Sequence, residues 1–444
     1  MKNLIGMPIS NEKDKIMNDF ASKIDELCHD LSYHPYASFI DVVLDLLIVY
    51  KENFRICAVR YAPDKSHLIY EKGRMPLILK GAVIPIGVVV DKNWNCYICS
   101  NKSKKARKMS INDLAKLIND TFSSISLQPD KEKIKSELLR IFNKSRFKNK
   151  KQCEEIFEKA CNELEFNNGV VSMKENNEID FFSAMLGRIT KPNKICRYTS
   201  LDSLFTMLND NKITMCTPVS MNDSREGEYA DSMTPSYVNI GKNDSVIELD
   251  NSVFMLSCSD MNVYDNLTLW RLYGDNAKGV CVSFHIDDSK IDNKKYFLAP
   301  VNYGNNKKHP ELEFIRDILK VQLDNGWHFK FYKWHFWKYF FKPYEYAVEN
   351  EVRLLYIPFA EHELLMTTWF KDRANGIFSK KIDVPIDDEN KLEFPLSIDS
   401  VILGPNSPHS NVNGEQIWYM SNHSSVKSTN GYINVNKSII KNYR

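Results

Sequence analysis

Two carboxylates and a guanidinium lie two residues apart in the segment from Tyr344 to Tyr356. In an extended strand successive side chains alternate between faces, so this spacing places Glu349, Glu351 and Arg353 on one face. Apolar flanks favour a partly buried strand, in which charges must be paired or used. A fixed carboxylate there can stabilise the oxocarbenium charge that develops when a glycosidic bond breaks. A solvated strand edge is the simpler alternative.

Four shorter segments precede this strand and contain residue types that bind phosphate or ribose. The first has an Arg on a predicted strand, where a guanidinium can hold a phosphate by two hydrogen bonds. The second is a loop of short polar side chains, which is equally consistent with an ordinary structured turn. A strand ending in a Ser-x-Ser pair follows, and then a helix whose flanking leucines are predicted to face the core. The candidate residues in chain order are Arg197, Tyr198, Ser200, Asn222, Ser257, Ser259, Trp270, Arg271 and Tyr273.

Taken in order, these segments resemble the bacterial domain-of-unknown-function family 2971. The motifs lie between about Lys194 and Pro405 and are Arg-Tyr-x-Ser, Asn-Asp-x-x-Glu, Ser-Cys-Ser, Trp-x-x-Tyr-x-Asp-x-x-Lys-Gly-Val, Val-Asn-Tyr, Glu-x-Glu-x-Arg and Val-Ile-Leu-Gly. The family usually has Pro where this chain has Ser224, so a looser turn is expected there. Members cluster with abortive-infection and phage-defence proteins, and the resemblance therefore implies a role in bacterial defence or toxicity.

The order of the Arg, the Ser-x-Ser pair and the Glu-x-Glu pair is similar to that of ADP-ribosyltransferases of the Arg-Ser-Glu type. This similarity implies that NAD is the substrate and that Arg197 holds its phosphates. It also implies that Ser257 and Ser259 support the nicotinamide-ribose pocket. Glu351 would bond the ribose hydroxyl, and Glu349 would orient or deprotonate the acceptor. No metal is expected. The other residues predicted to bind the cofactor are Tyr198, Ser200, Asn222, Trp270, Arg271, Tyr273 and Arg353.

The most aromatic stretch of the chain runs from Trp327 to Lys342, just before the paired glutamates. Aromatic rings interleaved with Lys can stack on nucleic-acid bases while neutralising phosphates. Aromatic residues mostly fill interiors, however, and their helical spacing here favours packing on the core. We predict a division, with Phe331, Phe340 and Phe341 buried and one Trp available to a ligand. In ADP-ribosyltransferases the segment before the Glu-x-Glu strand recognises the acceptor, so this Trp would select the target.

The composition excludes several protein classes. A formal net charge of +2 provides no large field toward nucleic acid or anionic lipid, so any such binding must come from local patches. The scattered cysteines predict reduced thiols, and only Cys96 and Cys99 form a C-x-x-C pair, without the second pair of a zinc site. No apolar run is long enough to span a bilayer and no secretory signal is present, which predicts a cytoplasmic protein without a membrane partner. Neither a P-loop, a Rossmann fingerprint nor a Gly-x-Ser-x-Gly elbow occurs.

At 444 residues the chain is long enough for two domains. We expect an α+β protein: an N-terminal domain of helices and a short sheet over residues 1–189, helical in its second half, and a C-terminal ADP-ribosyltransferase-like split β-sheet domain with helices over residues 190–444. The N-terminal domain is predicted to regulate the second or to bind a target or partner protein. In it, Ser38 to Tyr50 has a helical apolar face and Phe54 to Tyr61 alternates as a strand. Three further helices are predicted over Asp113 to Ser124, Lys131 to Phe142 and Gln152 to Leu164.

Two functions fit these residues. One is an enzyme, an ADP-ribosyltransferase or NAD glycohydrolase whose acceptor is a protein, a nucleic acid or water. The other is a non-catalytic nucleotide or nucleic-acid binding module, in which Glu349, Glu351 and Arg353 form a structural ladder of salt bridges. Geometry separates the two hypotheses. Convergence of Arg197 and Glu351 across one cleft favours the enzyme, and if the two side chains lie on opposite faces of the sheet the enzyme hypothesis fails.

Overall fold

The computed structural model describes residues 12–35, 38–39, 42–50, 54–82, 84–100, 103–124, 130–167, 169–187, 193–220, 226–233, 252–305, 308–319, 327–358, 366–371, 376, 378–386, 393–423, 426, 428 and 431–441. The chain forms two compact units, and neither is continuous in sequence. The first comprises Met1–Glu178, Asp231–Asn243 and Pro310–Tyr332. The second comprises Ile179–Ala230, Asp244–His309 and Lys333–Arg444.

Helices and mostly antiparallel sheets occur together, which confirms the α+β class. The helices are α1 (Glu12–Asp25), α2 (Lys65–Ala82), α3 (Ile111–Ser124), α4 (Lys131–Lys144), α5 (Lys150–Asn162), α6 (Glu175–Leu186), α7 (Leu201–Asn209), α8 (Glu226–Met233), α9 (Leu267–Tyr273), α10 (Pro310–Leu319), α11 (Trp334–Trp337) and α12 (Ser410–His423). The strands are β1 (Leu31–Pro35), β2 (Ser38–Phe39), β3 (Val42–Val43), β4 (Leu46–Tyr50), β5 (Phe54–Ala62), β6 (Ile86–Asp91), β7 (Cys96–Ser100), β8 (Ser103–Met109), β9 (Glu165–Asn167), β10 (Val170–Ser172), β11 (Lys194–Thr199), β12 (Lys212–Cys216), β13 (Phe254–Asp260), β14 (Val280–Ile286), β15 (Tyr296–Pro300), β16 (His328–Phe329), β17 (Glu351–Tyr356), β18 (Thr367–Lys371), β19 (Phe378–Pro385), β20 (Leu396–Leu403) and β21 (Asn434–Lys437).

The first unit contains a six-stranded sheet in the order β1-β4-β5-β6-β7-β8. Strands β5 and β6 are parallel, and α2 makes the crossover that parallel strands require. The strand predicted over Phe54 to Tyr61 is confirmed as β5. The helix predicted over Ser38 to Tyr50 is wrong, because that segment forms β2, β3 and β4. Four of the five residues of β4 are buried, so the apolar run lacks the alternation that would distinguish a strand from a helix.

A cluster of phenylalanine rings forms the helical part of the first unit. The predicted helices α3, α4 and α5 are confirmed. Phe142 of α4 stacks on Phe157 of α5 with 4.6 Å between ring centroids. Phe314 of α10 packs edge-on against both rings at 5.8 and 5.7 Å. A helix from the middle of the chain therefore completes a core whose other members lie more than a hundred residues earlier.

Limited proteolysis is expected to cut between Gly187 and Asn193, where the sequence predicts a linker and where residues 188–192 lie outside the described residues. The boundary between residues 189 and 190 stays a prediction. Because α10 supplies a ring to the core of the first unit, the two fragments should remain together after cleavage. They are expected to co-elute from a size-exclusion column in native buffer and to separate in denaturant. Separate elution without denaturant, or cuts scattered through both halves, would contradict this.

The second unit contains a ten-stranded sheet that is split beside β13. Along one edge, β13 pairs with β17 from Phe254 to Ser259. Along the other edge it pairs with β12 only at Met255 and with β11 only at Ser259 and Asp260. Among the described strands, residues 256–258 therefore have no ladder partner on that edge. We call this gap the opening; it agrees with the split sheet expected from the sequence.

Both faces of the central strands of this sheet are covered, which accounts for their strongly apolar sequences. On one face, Leu256, Val282 and Leu354 belong to a core that α7 joins through Leu204. On the other face, Cys196, Tyr198 and Cys281 pack with Trp270 of α9. Gly279 lies in the turn between α9 and β14, and a Cβ there would overlap the carbonyl oxygen of Thr199. The Lys-Gly-Val motif thus allows this turn to approach β11 closely.

Candidate functional site

Four charged side chains form a buried cluster in the second unit. Lys342, Glu349, Glu351 and Arg353 are 7%, 6%, 3% and 0% exposed, respectively. Two positive and two negative charges balance, as the interior requires of buried ions. We call these four residues the charge cluster.

Glu351 is the carboxylate at the centre of the charge cluster. Its Oε1 accepts from Arg353 Nε at 2.7 Å and from Ser257 Oγ at 2.5 Å. Its Oε2 accepts from Arg353 Nη2 at 2.9 Å and contacts Lys342 Nζ at 2.8 Å. Four donors fill the lone pairs of the carboxylate. Burial alone would raise the pKa of Glu351, but the charges of Arg353 and Lys342 hold it at about 2. Glu351 is therefore a fixed negative charge at neutral pH.

The start of β17 is anchored from several directions. Arg353 Nη1 donates to the carbonyl of Tyr339, and its side chain has no exposed area. The backbone N–H of Glu351 donates to the Tyr303 hydroxyl at 2.9 Å. Burial raises the pKa of Tyr303, so the hydroxyl keeps its proton. A side chain as enclosed as that of Arg353 is not available to a ligand, and its contacts stabilise the strand.

Glu349 reaches the charge cluster from outside the strand. It ends the 3-10 helix Tyr344–Glu349, and Asn350 then takes a left-handed conformation with φ of 41° before β17 begins. The prediction that Glu349 shares a strand face with Glu351 and Arg353 is therefore wrong, whereas it holds for those two residues. The change of backbone at Asn350 breaks the alternation on which the prediction rested.

The carboxylate of Glu349 has unused capacity to accept hydrogen bonds. Its Oε1 accepts from the Tyr273 hydroxyl at 2.5 Å, and its Oε2 accepts from Lys342 Nζ at 3.0 Å. Each oxygen thus has one donor among the described residues, where a carboxylate oxygen can accept two. Its side chain is 9% exposed, compared with 3% for Glu351. Glu349 is therefore the more accessible of the two carboxylates.

Arg197 lies at the opening beside β13. Its Nη1 donates to the Ser257 carbonyl, and the side chain is half-buried. Within the described residues its guanidinium has no carboxylate partner. Ser257 therefore contacts both Arg197, through its carbonyl, and Glu351, through its hydroxyl.

The strand register places Arg197 and Glu351 on opposite faces of the sheet. Cys196 pairs with Ser259, and Ser259 pairs with Glu351, so these three residues share a face. Arg197 follows Cys196 and emerges on the other face, beside Val282. The convergence across one cleft is thus not observed, and an enzyme in which Arg197 and Glu351 face each other across that cleft fails the criterion set from the sequence. At the opening, however, no strand separates the two faces, and both side chains meet Ser257.

Three of the predicted cofactor-binding residues have other partners. Trp270 is fully buried, and its indole N–H donates to Asp265 at 2.7 Å. The Tyr198 hydroxyl donates to a backbone carbonyl at 2.5 Å, and its ring packs edge-on against Trp270. Ser200 caps the N-terminus of α7. These contacts stabilise the fold, and we leave these residues, with Arg353, out of the site proposed below.

The remaining predicted residues differ in position. Arg271 and Tyr273 are exposed on α9. The prediction that the flanking leucines of α9 face the core is wrong for Leu267 and Leu272, which are 37% and 58% exposed, because this seven-residue helix turns only Leu269 and Trp270 inward. Ser259 is buried beside Glu351, and Asn222 lies outside the described residues.

The aromatic stretch is divided between interior and surface. The predicted burial of Phe331, Phe340 and Phe341 is confirmed, and Trp337 is fully buried. Trp334 is half-buried. One Trp thus keeps exposed surface, as predicted, while its contact with a ligand stays a prediction.

Trp337 and Trp334 offer a matched comparison of packing. Trp337 stacks on Phe182 at 4.7 Å and contacts Phe297 at 4.9 Å, so Trp337→Ala should lower the free energy of unfolding by about 3–5 kcal/mol. Trp334→Ala should cost only about 1–2 kcal/mol, because less area is buried. Chemical denaturation of both variants checks this. Equal losses would show that the half-buried ring packs as firmly as the buried one.

Two members of the site were not identified from the sequence. Lys342 links Glu349 to Glu351, and the Tyr303 hydroxyl holds the backbone of Glu351. Tyr303 belongs to the Val-Asn-Tyr motif of the family resemblance, and Lys342 ends the aromatic stretch, but neither was predicted to bind a glutamate. The presence of Lys342 seven residues before Glu349 is a usable signal, because buried carboxylates need a nearby cation.

Comparison with known proteins gives one match. A family model described as "Protein of unknown function (DUF2971)" matches residues 269–354. The chain is similar to that family over this segment. The matched segment contains Tyr273, Tyr303 and the whole charge cluster, whereas Arg197 and Ser257 precede it in the sequence. No curated protein and no solved structure matches the chain.

Two further searches of the described residues found nothing. None of the helices among them is both long and apolar enough to cross a bilayer. Over the same residues, no group of three or more His, Cys, Asp or Glu side chains is placed to hold a metal ion.

Proposed function

We propose that the second unit is an ADP-ribosyltransferase or NAD glycohydrolase that binds NAD at the opening beside β13. The observation that carries the proposal is the double contact of Ser257, which joins Arg197 to Glu351 where the sheet is split. Glu351 in turn shares Lys342 with Glu349, the carboxylate that has acceptor capacity left, so one chain of contacts joins the half-buried guanidinium to that carboxylate.

Arg197 is the residue that would bind the diphosphate of NAD. A guanidinium has five N–H donors, and one of them is used by the Ser257 carbonyl. The others can form the paired hydrogen bonds that phosphate oxygens accept. The absence of a carboxylate partner among the described residues leaves the positive charge of Arg197 uncompensated, which favours an anionic ligand.

The two glutamates would divide the chemistry. When the bond between C1′ of the ribose and the nicotinamide nitrogen breaks, its electron pair leaves with nicotinamide and positive charge develops on the ribose. Glu349, with one free lone pair on each oxygen, would face that charge and accept the proton of the attacking acceptor as C1′ bonds to it. Glu351, with its oxygens filled, would act as a positioning residue through Ser257 and Lys342. Catalysis by Glu351 itself would require one of its four donors to move away.

A second candidate is favoured by the saturation of Glu351. Four donors to one carboxylate, together with a neutral sum of charges, are what a purely structural ion-pair network needs. On this account the opening binds a nucleotide through Arg197 without chemistry. The unit is then a non-catalytic nucleotide-binding or nucleic-acid-binding module.

The biological setting that we propose is antiviral defence in the bacterial cytoplasm, and it rests on the resemblance to family 2971. A strain expressing the wild-type chain should form fewer phage plaques than a strain expressing the Glu349→Gln variant at equal protein level. Equal plaque counts would remove the defence part of the proposal and leave the chemistry untouched.

Calorimetry and label transfer together test the proposed function. NAD should bind the wild-type protein, and Arg197→Lys should weaken binding about tenfold or more because an ammonium cannot form the paired contacts. NAD labelled in its adenylate phosphate, incubated with the protein and a cell lysate, should pass its label to a macromolecule in a transferase or to free ADP-ribose in a glycohydrolase. Binding that depends on Arg197 without either product identifies the non-catalytic module. No binding of NAD would overturn the enzyme and leave a module that binds another nucleotide or a nucleic acid.

A further inference from the structure

An exposed hairpin at one edge of the second unit's sheet carries two aromatic rings and two lysines on one face. Strands β18 and β19 pair so that Trp369 lies opposite Lys380 and Lys371 lies opposite Phe378. Directly paired residues, and residues two apart on a strand, share a face. The four side chains therefore form a square in which aromatic and cationic groups alternate. We call them the hairpin face.

The rings of the hairpin face are among the most exposed in the protein. Trp369 is 63% exposed and Phe378 is 70% exposed. Lys380 Nζ lies 5.2 Å from the centre of the Trp369 ring, and Lys371 Nζ lies 5.9 Å from the centre of the Phe378 ring. Large rings normally avoid water, so two of them side by side on an exposed hairpin indicate a surface that is covered by a partner.

The charge of the hairpin face is uncompensated among the described residues. Lys371 and Lys380 form no ion pair there. Among the described residues of the hairpin, the one acid near this face is Asp383, which emerges on the opposite face and pairs with Lys381 at 3.4 Å and Lys212 at 3.6 Å. The described part of the hairpin thus places a paired carboxylate on one side, and on the other two lysines that have no ion pair within that part.

We propose that the hairpin face binds single-stranded nucleic acid. Trp369 and Phe378 are diagonal neighbours on adjacent β-strands, and the backbones of such neighbours are about 7–8 Å apart across the pair. Each ring can therefore stack on one of two bases of the same nucleic-acid strand. Lys371 and Lys380 occupy the other diagonal and neutralise the phosphates that follow those bases. Every base presents a flat face to a ring, so binding tolerates different sequences.

Other occupants fit the hairpin face less well. A membrane surface requires a continuous apolar area, whereas here the two rings are separated by lysines. A peptide that added a strand to the edge of β18 would bond to its backbone and would not need the rings. The proposal does not rest on NAD chemistry, and NAD turnover is expected to be the same in hairpin variants.

Fluorescence anisotropy with labelled twelve-nucleotide single strands of deoxythymidine and of uridine tests the proposal on the full chain. Trp369→Ala and Phe378→Ala should each weaken binding roughly ten- to a hundredfold. Trp418→Ala is the matched control, because Trp418 is 50% exposed elsewhere in the same unit, and it should bind like the wild type. Thermal melting checks that each variant is folded. We expect all of them to fold, because the replaced rings are exposed and contribute little to the core.

The salt dependence gives a second, independent readout. The combined variant Lys371→Gln and Lys380→Gln should reduce the slope of log affinity against log salt by about 1.4, since each phosphate contact contributes about 0.7 for single strands. The proposal is overturned if the wild-type protein binds neither oligonucleotide, even if it binds lipid vesicles or associates with itself. It is equally overturned by a loss in Trp418→Ala that matches the loss in Trp369→Ala, or by a duplex that binds as tightly as the single strand.

Discussion

Replacing Glu349 with Gln is expected to slow nicotinamide release from NAD by a factor on the order of a thousand while the protein stays folded. The amide keeps the shape of the side chain but carries no negative charge to stabilise the oxocarbenium ion. It is also too weak a base to take the proton from the attacking acceptor. Folding should survive because Lys342 keeps Glu351 as a partner at 2.8 Å. Steady-state release of nicotinamide, with thermal melting beside it, measures both effects.

Glu345→Gln is the matched control for that variant. Glu345 lies in the same 3-10 helix as Glu349, but it is exposed. The control should turn over NAD at the wild-type rate. A folded Glu349→Gln variant with an unchanged rate would remove Glu349 from the chemistry. Glu351→Gln is a less direct test, because an amide in place of a buried carboxylate bonded to Arg353 and Lys342 also destabilises the fold.

Arg353→Met is expected to lower the free energy of unfolding by about 3–5 kcal/mol. The substitution removes two donors from Glu351 and leaves its buried charge with Lys342, which it must then share with Glu349. Unfolding in guanidinium chloride, followed by circular dichroism, measures the loss. Lys278→Met is the control, since Lys278 is exposed in the same unit, and it should change stability by less than about 0.5 kcal/mol.

A double variant separates a lost charge partner from lost packing. Glu351→Leu with Arg353→Met removes both charges of the central pair and leaves Lys342 bonded to Glu349 at 3.0 Å. It should recover much of the stability lost in Arg353→Met, because no buried charge is then left unpaired. A double variant that is less stable than Arg353→Met would show that packing around the guanidinium, rather than its charge, dominates.

The sequence was sufficient to predict features that depend on local spacing. Alternation correctly assigned Glu351 and Arg353 to one strand face, and amphipathic spacing located α3, α4 and α5. The same rule failed for Glu349, because a left-handed residue between the two glutamates is invisible to a period-2 count. It also failed for the buried run that forms β4, where both faces are covered and no alternation remains.

Features that depend on distant parts of the chain were not predicted. The ring of Phe314 completes a core with Phe142 and Phe157, and nothing in its local pattern indicates which core it joins. The aromatic stretch was the obvious candidate for stacking on bases, yet most of its rings are interior. Trp369 and Phe378 lie on two different strands and become neighbours only when β18 pairs with β19. Their alternation with lysines is a property of the pairing.

Time-resolved detection of free nicotinamide tests most directly whether the second unit consumes NAD. Purified wild-type protein is incubated with NAD, with and without a lysate as a source of acceptors, and nicotinamide is quantified by mass spectrometry. The proposal predicts release that grows with time and enzyme concentration and that is lost in Glu349→Gln but not in Glu345→Gln. No release under either condition, from a protein that binds NAD through Arg197, would contradict it and leave the opening as a binding site without chemistry.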